Sequence, residues 1–374
     1  MAQTPEHRAS PRESQGAPEP AAAPAGPLSG HLDGLARRFD RQVRFAPFGR
    51  SGQANLVSAR VLVVGCGALG GVLAETLFRA GVGELVLVDR DVVELSNLPR
   101  QILFDERHAR AGTPKALAAR ETLERCGGPT RVTAHVLHLE ARNLELVAAD
   151  ADLILDGTDN LETRYLLNDF ALAHDVPWVY AGVVGSSGLV LPVLPGRSAC
   201  LTCLFPDPPA PGALPTCDTA GVLLPAVLAV GAFAAGLGLR LLARPERELV
   251  PALLELDTWN GEARRLGVQR DPDCRTCARR EFHWLERVGR EAIALCGRNT
   301  VQVPARGARR APPSRVPELA PSADEVQVHA ELLRFRFEGC RISVFADGRA
   351  LIEGTSDVEH AGALFARAFR RTDG

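Results

Sequence analysis

The sequence predicts an α/β protein built on a doubly wound, mostly parallel Rossmann-like sheet. Three observations predict it. "RVLVVG" and "ELVLVD" are short, nearly continuous apolar runs, as expected of parallel strands covered on both faces. A helical stretch, Ala68 to Ala80, separates them, and the alternation of strand and helix continues beyond. Between the first strand and that helix, "GCGALG" places Gly65, Gly67 and Gly70 in G-x-G-x-x-G spacing.

The later elements follow in order. "ADLILDGTDN" reads as a buried strand ending in polar residues, then a helix over 162–174, then two strands, "VPWVYAG" and "GLVLPVL". At 374 residues the chain can form one large domain and a smaller one. Residues 1–34, rich in Pro and Ala, read as a disordered tail, since such sequence cannot bury enough apolar surface to offset ordering entropy. The main domain is expected over 35–290 and a Pro- and Arg-rich linker over 291–324. A small α+β appendage follows over 325–374. There "LLRFRFEGCRISVFADGRALIEG" alternates around the turns "EG" and "DG" and "DVEHAGALFARAFRR" is helical.

Composition excludes some functions. A net charge of −2 without a basic face disfavours nucleic acid as a partner. No apolar leader is evident, so a cytoplasmic location with reduced thiols is expected. "VLLPAVLAVGAFAAGLGL" is long and uncharged enough to be a membrane candidate. Its Ala and Gly content suits close helix packing instead. It also lies between two CxxC pairs, which a single span would separate, so membrane insertion is not expected.

Those pairs, Cys200 with Cys203 and Cys274 with Cys277, predict one tetrahedral four-cysteine zinc site. Each pair supplies two thiolates from a tight turn, and the site would staple the C-terminal part of the main domain. Cys217 sits apart in "PDPPAPGALPTCDTAG", a loop whose proline density favours exposure. Cys66, Cys126, Cys296 and Cys340 have no partner motif, and Trp178 and Trp259 are expected in the core.

The glycine loop lets backbone approach phosphate at a helix N-terminus, and Asp89, at the end of the next strand, can hold ribose hydroxyls. Alone, this suggests a dinucleotide. But "DRDVVELSNLPRQ" follows, then Lys115, and Asp159 ends the strand expected alongside. Hydride transfer needs no added cations. Arg100 and Lys115 could neutralise a polyphosphate, and Asp159 could hold Mg²⁺. Lys115 is the only lysine among 43 basic residues. A compact ammonium on a flexible stem can follow a phosphate in a way a rigid guanidinium fork cannot.

Taken in order, "FDRQVRF", "GCGALG", "SNLPRQ", "GTPKA", "DGTDN" and "CLFPDPPAPGALPTCDTAGVL" resemble the MoeB/ThiF family, relatives of the ubiquitin-activating enzymes. The resemblance covers roughly residues 35–290. It implies an adenylyltransferase that uses ATP with Mg²⁺ on the C-terminal Gly-Gly carboxylate of a small ubiquitin-like sulfur carrier. Thiamine, molybdopterin or tRNA-thiolation pathways are implied, with a separate sulfur donor such as a cysteine desulfurase. It implies further that Asp89 binds ribose, that Asn97, Arg100 and Lys115 hold phosphates, and that Asp159 coordinates Mg²⁺. Arg41 would reach the partner's ATP in a homodimer, and the loop that carries Cys217 would cross near the carrier's C-terminus, where its cysteine can form a thioester or acyl-disulfide. Two other readings stand beside it: activation of another carboxylate or a tRNA base, and an NAD-binding oxidoreductase.

Overall fold

A computed structural model of the chain describes residues 37–208, 217–244, 249–286, 293–294, 299–304, 319–330, 332–346 and 348–369. The expected N-terminal tail, most of the expected linker, Cys296 and residues 209–216 lie outside the described residues.

Eight strands form the main sheet: β1 (Arg60–Val64), β2 (Glu84–Asp89), β3 (Arg131–Val136), β4 (Leu153–Asp156), β5 (Trp178–Val184), β6 (Ser187–Val193), β7 (Leu253–Asp257) and β8 (Glu262–Leu266). Their order is β3-β2-β1-β4-β5-β6-β7-β8. The first five are parallel. The chain then reverses through a two-residue turn at Gly185 and Ser186, so β6, β7 and β8 run antiparallel to their neighbours.

Alternate residues of the same strands feed two separate cores, which is what double winding means physically. Val61, Val63, Leu85, Leu87 and Leu155 point to one side. There they meet α1 (Gly49–Ser58), α2 (Ala68–Ala80) and α3 (Lys115–Arg125). Leu62, Val64, Val86, Val88 and Ile154 point to the other side, against α4 (Ala141–Ala148) and α5 (Leu161–Ala173). Both faces of the central strands are therefore apolar, which explains their unbroken hydrophobic runs.

The candidate membrane segment is α6 (Leu224–Ala243), which packs its small residues inward. A Cβ on Gly231 would lie 2.7 Å from Val72 of α2, and one on Gly238 would lie 2.9 Å from Leu153 of β4. The glycines let this helix settle directly on the sheet and on its neighbour, as a core helix does.

The C-terminal strands are β9 (Ile293–Ala294), β10 (Thr300–Val303), β11 (Asp324–Val328), β12 (Leu332–Phe337), β13 (Cys340–Phe345) and β14 (Ala350–Glu353). They form an antiparallel sheet in the order β11-β12-β13-β14-β10-β9. Helix α7 (Val358–Ala368) buries Ala361, Leu364 and Ala368 in the same core as Ile342 and Ile352. The "EG" turn is real: Glu338 and Gly339 both have positive φ, as a two-residue hairpin demands. The boundary differs from expectation. β10 falls within the stretch read as linker and pairs with β14, so the sheet takes strands from both sides of the Pro/Arg-rich segment. Four residues, "TVQV", are too short a run to announce a strand. Trp178 is fully buried, as expected. Trp259 is not: it is 77% exposed at the β7–β8 turn, where the Asp257 carboxylate accepts its backbone N–H.

Candidate nucleotide site and metal centre

The strand order reverses between β1 and β4, and the C-terminal ends of strands at such a reversal are where open α/β sheets bind ligands. Gly65 follows β1 with φ +84°, a conformation that favours glycine. A Cβ on Gly70 would overlap the Gly65 carbonyl oxygen, and one on Gly157, after β4, would lie 2.6 Å from the Gly70 Cα. These three glycines touch one another and let the loop, the helix start and the β4 end close up. Gly67 differs. A Cβ there would meet only the Gln101 Nε2, at 3.6 Å, an ordinary contact. At Gly67 the surrounding protein atoms leave room for a side chain.

Asp89 closes β2 beside this loop. Its carboxylate accepts the Cys66 N–H at 2.7 Å and the Asp91 N–H at 2.7 Å. Burial raises its pKa, and the Lys115 ammonium opposes the rise. Burial also raises the Cys66 thiol well above its ordinary value, so that cysteine is a packing residue. Lys115 opens α3 and its backbone N–H donates to the Asp91 carbonyl at 2.9 Å. Its ammonium lies 3.2 Å from the Asp91 carboxylate, and the side chain is only 8% exposed. The sole lysine is thus a buried, paired cation and not an ordinary surface lysine.

The remaining phosphate candidates follow on the same segment. Glu94 and Asn97 form a reciprocal capping box around the turn Leu95–Asn97, and the Asn97 oxygen accepts the Glu94 N–H at 3.0 Å. Arg100 donates to the Ser96 carbonyl at 2.7 Å. Asp159 is exposed on the loop after β4. Arg41 is exposed on the helical turn Asp40–Val43. Cys217 begins the short helix Cys217–Ala220, and its side chain lies outside the described residues.

Four contributors escaped the sequence reading. Asp91 holds Lys115. Gln101 is buried against the glycine loop, and its Oε1 has no hydrogen-bond partner among the described residues. Asp156, fully buried, pairs with Arg164 at 3.0 Å and accepts the Thr158 N–H at 2.8 Å. Burial raises the Asp156 pKa against the pull of Arg164. Arg164 in turn donates to the Ala181 carbonyl at 3.1 Å and stacks over Tyr180, fixing the Gly157–Asp159 loop from below. Only Asp91 had a readable signal, its place two residues after Asp89 in "DRD".

The four cysteines of the CxxC pairs do converge: their sulfurs lie within 4.8 Å of one another. Neighbouring pairs are 3.8, 3.7 and 3.4 Å apart. A tetrahedral zinc with bonds of about 2.3 Å separates its sulfurs by roughly 3.8 Å, so the set fits zinc. Hydrogen bonding from Cys200 and its neighbours lowers the Cys277 thiol, the direction a metal-binding thiolate needs. The knuckles are tied to α5. Asn168 accepts the Leu201 N–H at 2.9 Å, and the Thr276 and Thr202 hydroxyls meet at 3.0 Å.

Comparisons with known proteins agree. The ThiF family model matches residues 39–276. A sulfur carrier protein ThiS adenylyltransferase of Bacillus subtilis is 40% identical over 336 residues, covering 88% of this chain and 98% of the relative. That match is too long to stop at residue 276, so it runs into the C-terminal sheet. A sulfur carrier protein adenylyltransferase of Thermus thermophilus is 39% identical over 247 residues, covering 64% of this chain and 90% of the relative. Among solved structures, E. coli MccB with AMPCPP and MccA gives a TM-score of 0.56 at 21% identity, over 65% of this chain and 74% of that one, a likeness of fold alone. Glycine loop, buried lysine, convergent thiols and matched sequence lead to one assignment: the chain belongs to the ThiF family.

Proposed function

We propose that the protein adenylates the C-terminal Gly-Gly carboxylate of a small ubiquitin-like sulfur carrier, using ATP and releasing pyrophosphate. The observation that carries this reading is the buried Lys115–Asp91 pair beside the glycine loop. The relatives named as sulfur carrier adenylyltransferases, one matched nearly end to end, supply the substrate class.

The chemistry asks little of the protein beyond placement and charge. A carrier carboxylate oxygen attacks the α-phosphorus, the bond to the β-phosphate oxygen breaks, and pyrophosphate leaves with the electron pair. Asp89 would hold the ribose. The α2 N-terminus at Gly67 and Gly70, with Asn97, Arg100 and Lys115, would receive the phosphates. Lys115 is held by Asp91 until a phosphate oxygen competes for it. Asp159 would take Mg²⁺, which a lone carboxylate can hold together with substrate phosphates, and the ion adds charge neutralisation there. The four cysteines would hold a structural zinc, with every coordination position filled by protein. In a homodimer Arg41 would reach the ATP of the partner subunit, and Cys217 would stand near the carrier's C-terminus. A sulfur nucleophile from a separate donor, such as a cysteine desulfurase, then attacks the activated carbonyl, the acyl–phosphate bond breaks and AMP leaves, for thiamine, molybdopterin or tRNA thiolation.

ATP–pyrophosphate exchange tests the proposal, run with Mg²⁺ and each small Gly-Gly-ending protein of the same organism in turn. Exchange that requires one carrier and vanishes in Lys115→Ala supports it. Absence of exchange with every carrier, from folded and zinc-loaded protein, removes it.

A further inference from the structure

The C-terminal sheet does not stand apart from the nucleotide site. It is docked on the segment Asp91–Arg100 and on the stretch His138–Glu140 after β3, through three contacts of different kinds. Val92 packs with Leu332, Phe345 and Leu351 of the C-terminal sheet. Glu94 accepts Arg334 at 2.8 Å and Arg341 at 3.2 Å, while the same carboxylate caps the turn that carries Asn97. Arg349, 1% exposed, donates to the Glu140 carboxylate at 3.0 Å and to the His138 carbonyl at 3.0 Å. From there the chain of polar contacts runs inward. The His138 ring accepts Arg90 at 2.8 Å, and Arg90 lies 3.6 Å from Asp91, the partner of Lys115.

Further along, His329 meets the Ala111 carbonyl at 3.2 Å, four residues before Lys115. Val92 and Pro114 form a β-bridge, and the Val93 N–H donates to the Thr113 carbonyl at 2.9 Å, so both phosphate-bearing segments are tied into one body. A part-buried ion pair such as Arg334–Glu94 contributes little net stability, because desolvation and solvent screening offset the attraction. An apolar interface would hold the two parts together as well. What the ion pairs add is direction, and they direct the residues next to Asn97 and Lys115.

We propose that the C-terminal sheet is a brace for the ATP-phosphate segment, with Arg334 and Arg349 as positioning residues for Asn97 and Lys115. The proposal rests on the functional reading above and gives the appended sheet its role in that reaction.

The test uses the full-length, zinc-loaded protein with Arg334→Met, Arg349→Met, the milder Glu94→Gln, which keeps an oxygen for the cap, and the restorative Arg334→Lys. Arg367→Ala is the control; it breaks an exposed pair with Glu338 in the same C-terminal unit. The Kd and KM for ATP, the KM for the carrier, and hydrogen exchange of residues 92–98 are measured. Loss of one charged hydrogen bond should raise the ATP constants about tenfold in the Met and Gln variants. Exchange over 92–98 should quicken, the carrier KM should stay, and Arg334→Lys should recover part of the loss. Variants that fold and bind ATP as tightly as wild type overturn the brace, whatever their exchange rates. A wild type that binds no ATP overturns the functional reading and this proposal with it.

Discussion

Two glycines five positions or fewer into the same loop carry opposite demands, and substitution separates them. At Gly70 an added Cβ meets the Gly65 backbone, which cannot move without disturbing β1. Gly70→Ala should therefore cost at least about 3 kcal/mol in thermal or denaturant unfolding. At Gly67 the nearest atom is a side-chain nitrogen at ordinary contact distance. Gly67→Ala should stay within about 2 kcal/mol of wild type yet lose about tenfold or more in ATP affinity, because its methyl fills the space a phosphate needs. If Gly67→Ala binds ATP normally by calorimetry, the loop is a packing device only. Lys115 makes a related point. Arginine there can keep the pair with Asp91, so unfolding should barely change. A fixed fork should nonetheless place charge poorly on a phosphate, lowering pyrophosphate exchange about a hundredfold. Full activity in Lys115→Arg would mean that charge alone matters there.

The cysteine knuckles are hydrogen-bonded to α5, and a buried acid on α5 reports on that junction. Asp169 accepts the Trp284 N–H at 2.8 Å, and burial raises its pKa to about 6. A raised folded pKa means stability that is present below the ordinary carboxylate value and lost as pH rises toward 6. Asp169→Asn keeps an acceptor and removes that loss. The variant should exceed wild type by about 2 kcal/mol at pH 7.5, with the advantage shrinking as pH falls to 5, in paired unfolding curves of zinc-loaded protein. An advantage that does not change with pH would mean the carboxylate is not the cause. Much of this element was readable in advance. The CxxC spacing announced the thiol cluster, and continuous apolar runs announced the parallel strands. What stayed hidden depends on partners distant in sequence. Arg164 matters because β4 and β5 lie side by side, and Gln101 because its turn folds back on Gly67. Strand β10 exists because β14, about fifty residues later, pairs with it. No local pattern records such meetings.

At the scale of the whole molecule, α6 presents small residues to the core and leaves Leu228 and Phe233 exposed, with Leu223 just before it and Phe45 exposed elsewhere on the surface. Exposed large apolar groups of this kind suit a contact with a second copy of the chain, the arrangement in which Arg41 would complete the partner's site. The arrangement can be tested by mixing two inactive proteins. Arg41→Ala lacks the reaching cation, and Lys115→Ala lacks the phosphate ligand. In a mixed dimer, the site on the Arg41→Ala subunit keeps its own Lys115 and receives Arg41 from the other subunit. The second site in the same dimer lacks both. With random pairing half the dimers are mixed, so co-refolded or co-expressed protein should recover about a quarter of wild-type exchange activity. If Arg41 served its own subunit, every site in every pairing would lack one of the two cations. Mixing would then restore nothing, even with dimers confirmed by light scattering, and Arg41 would have to be assigned to its own chain.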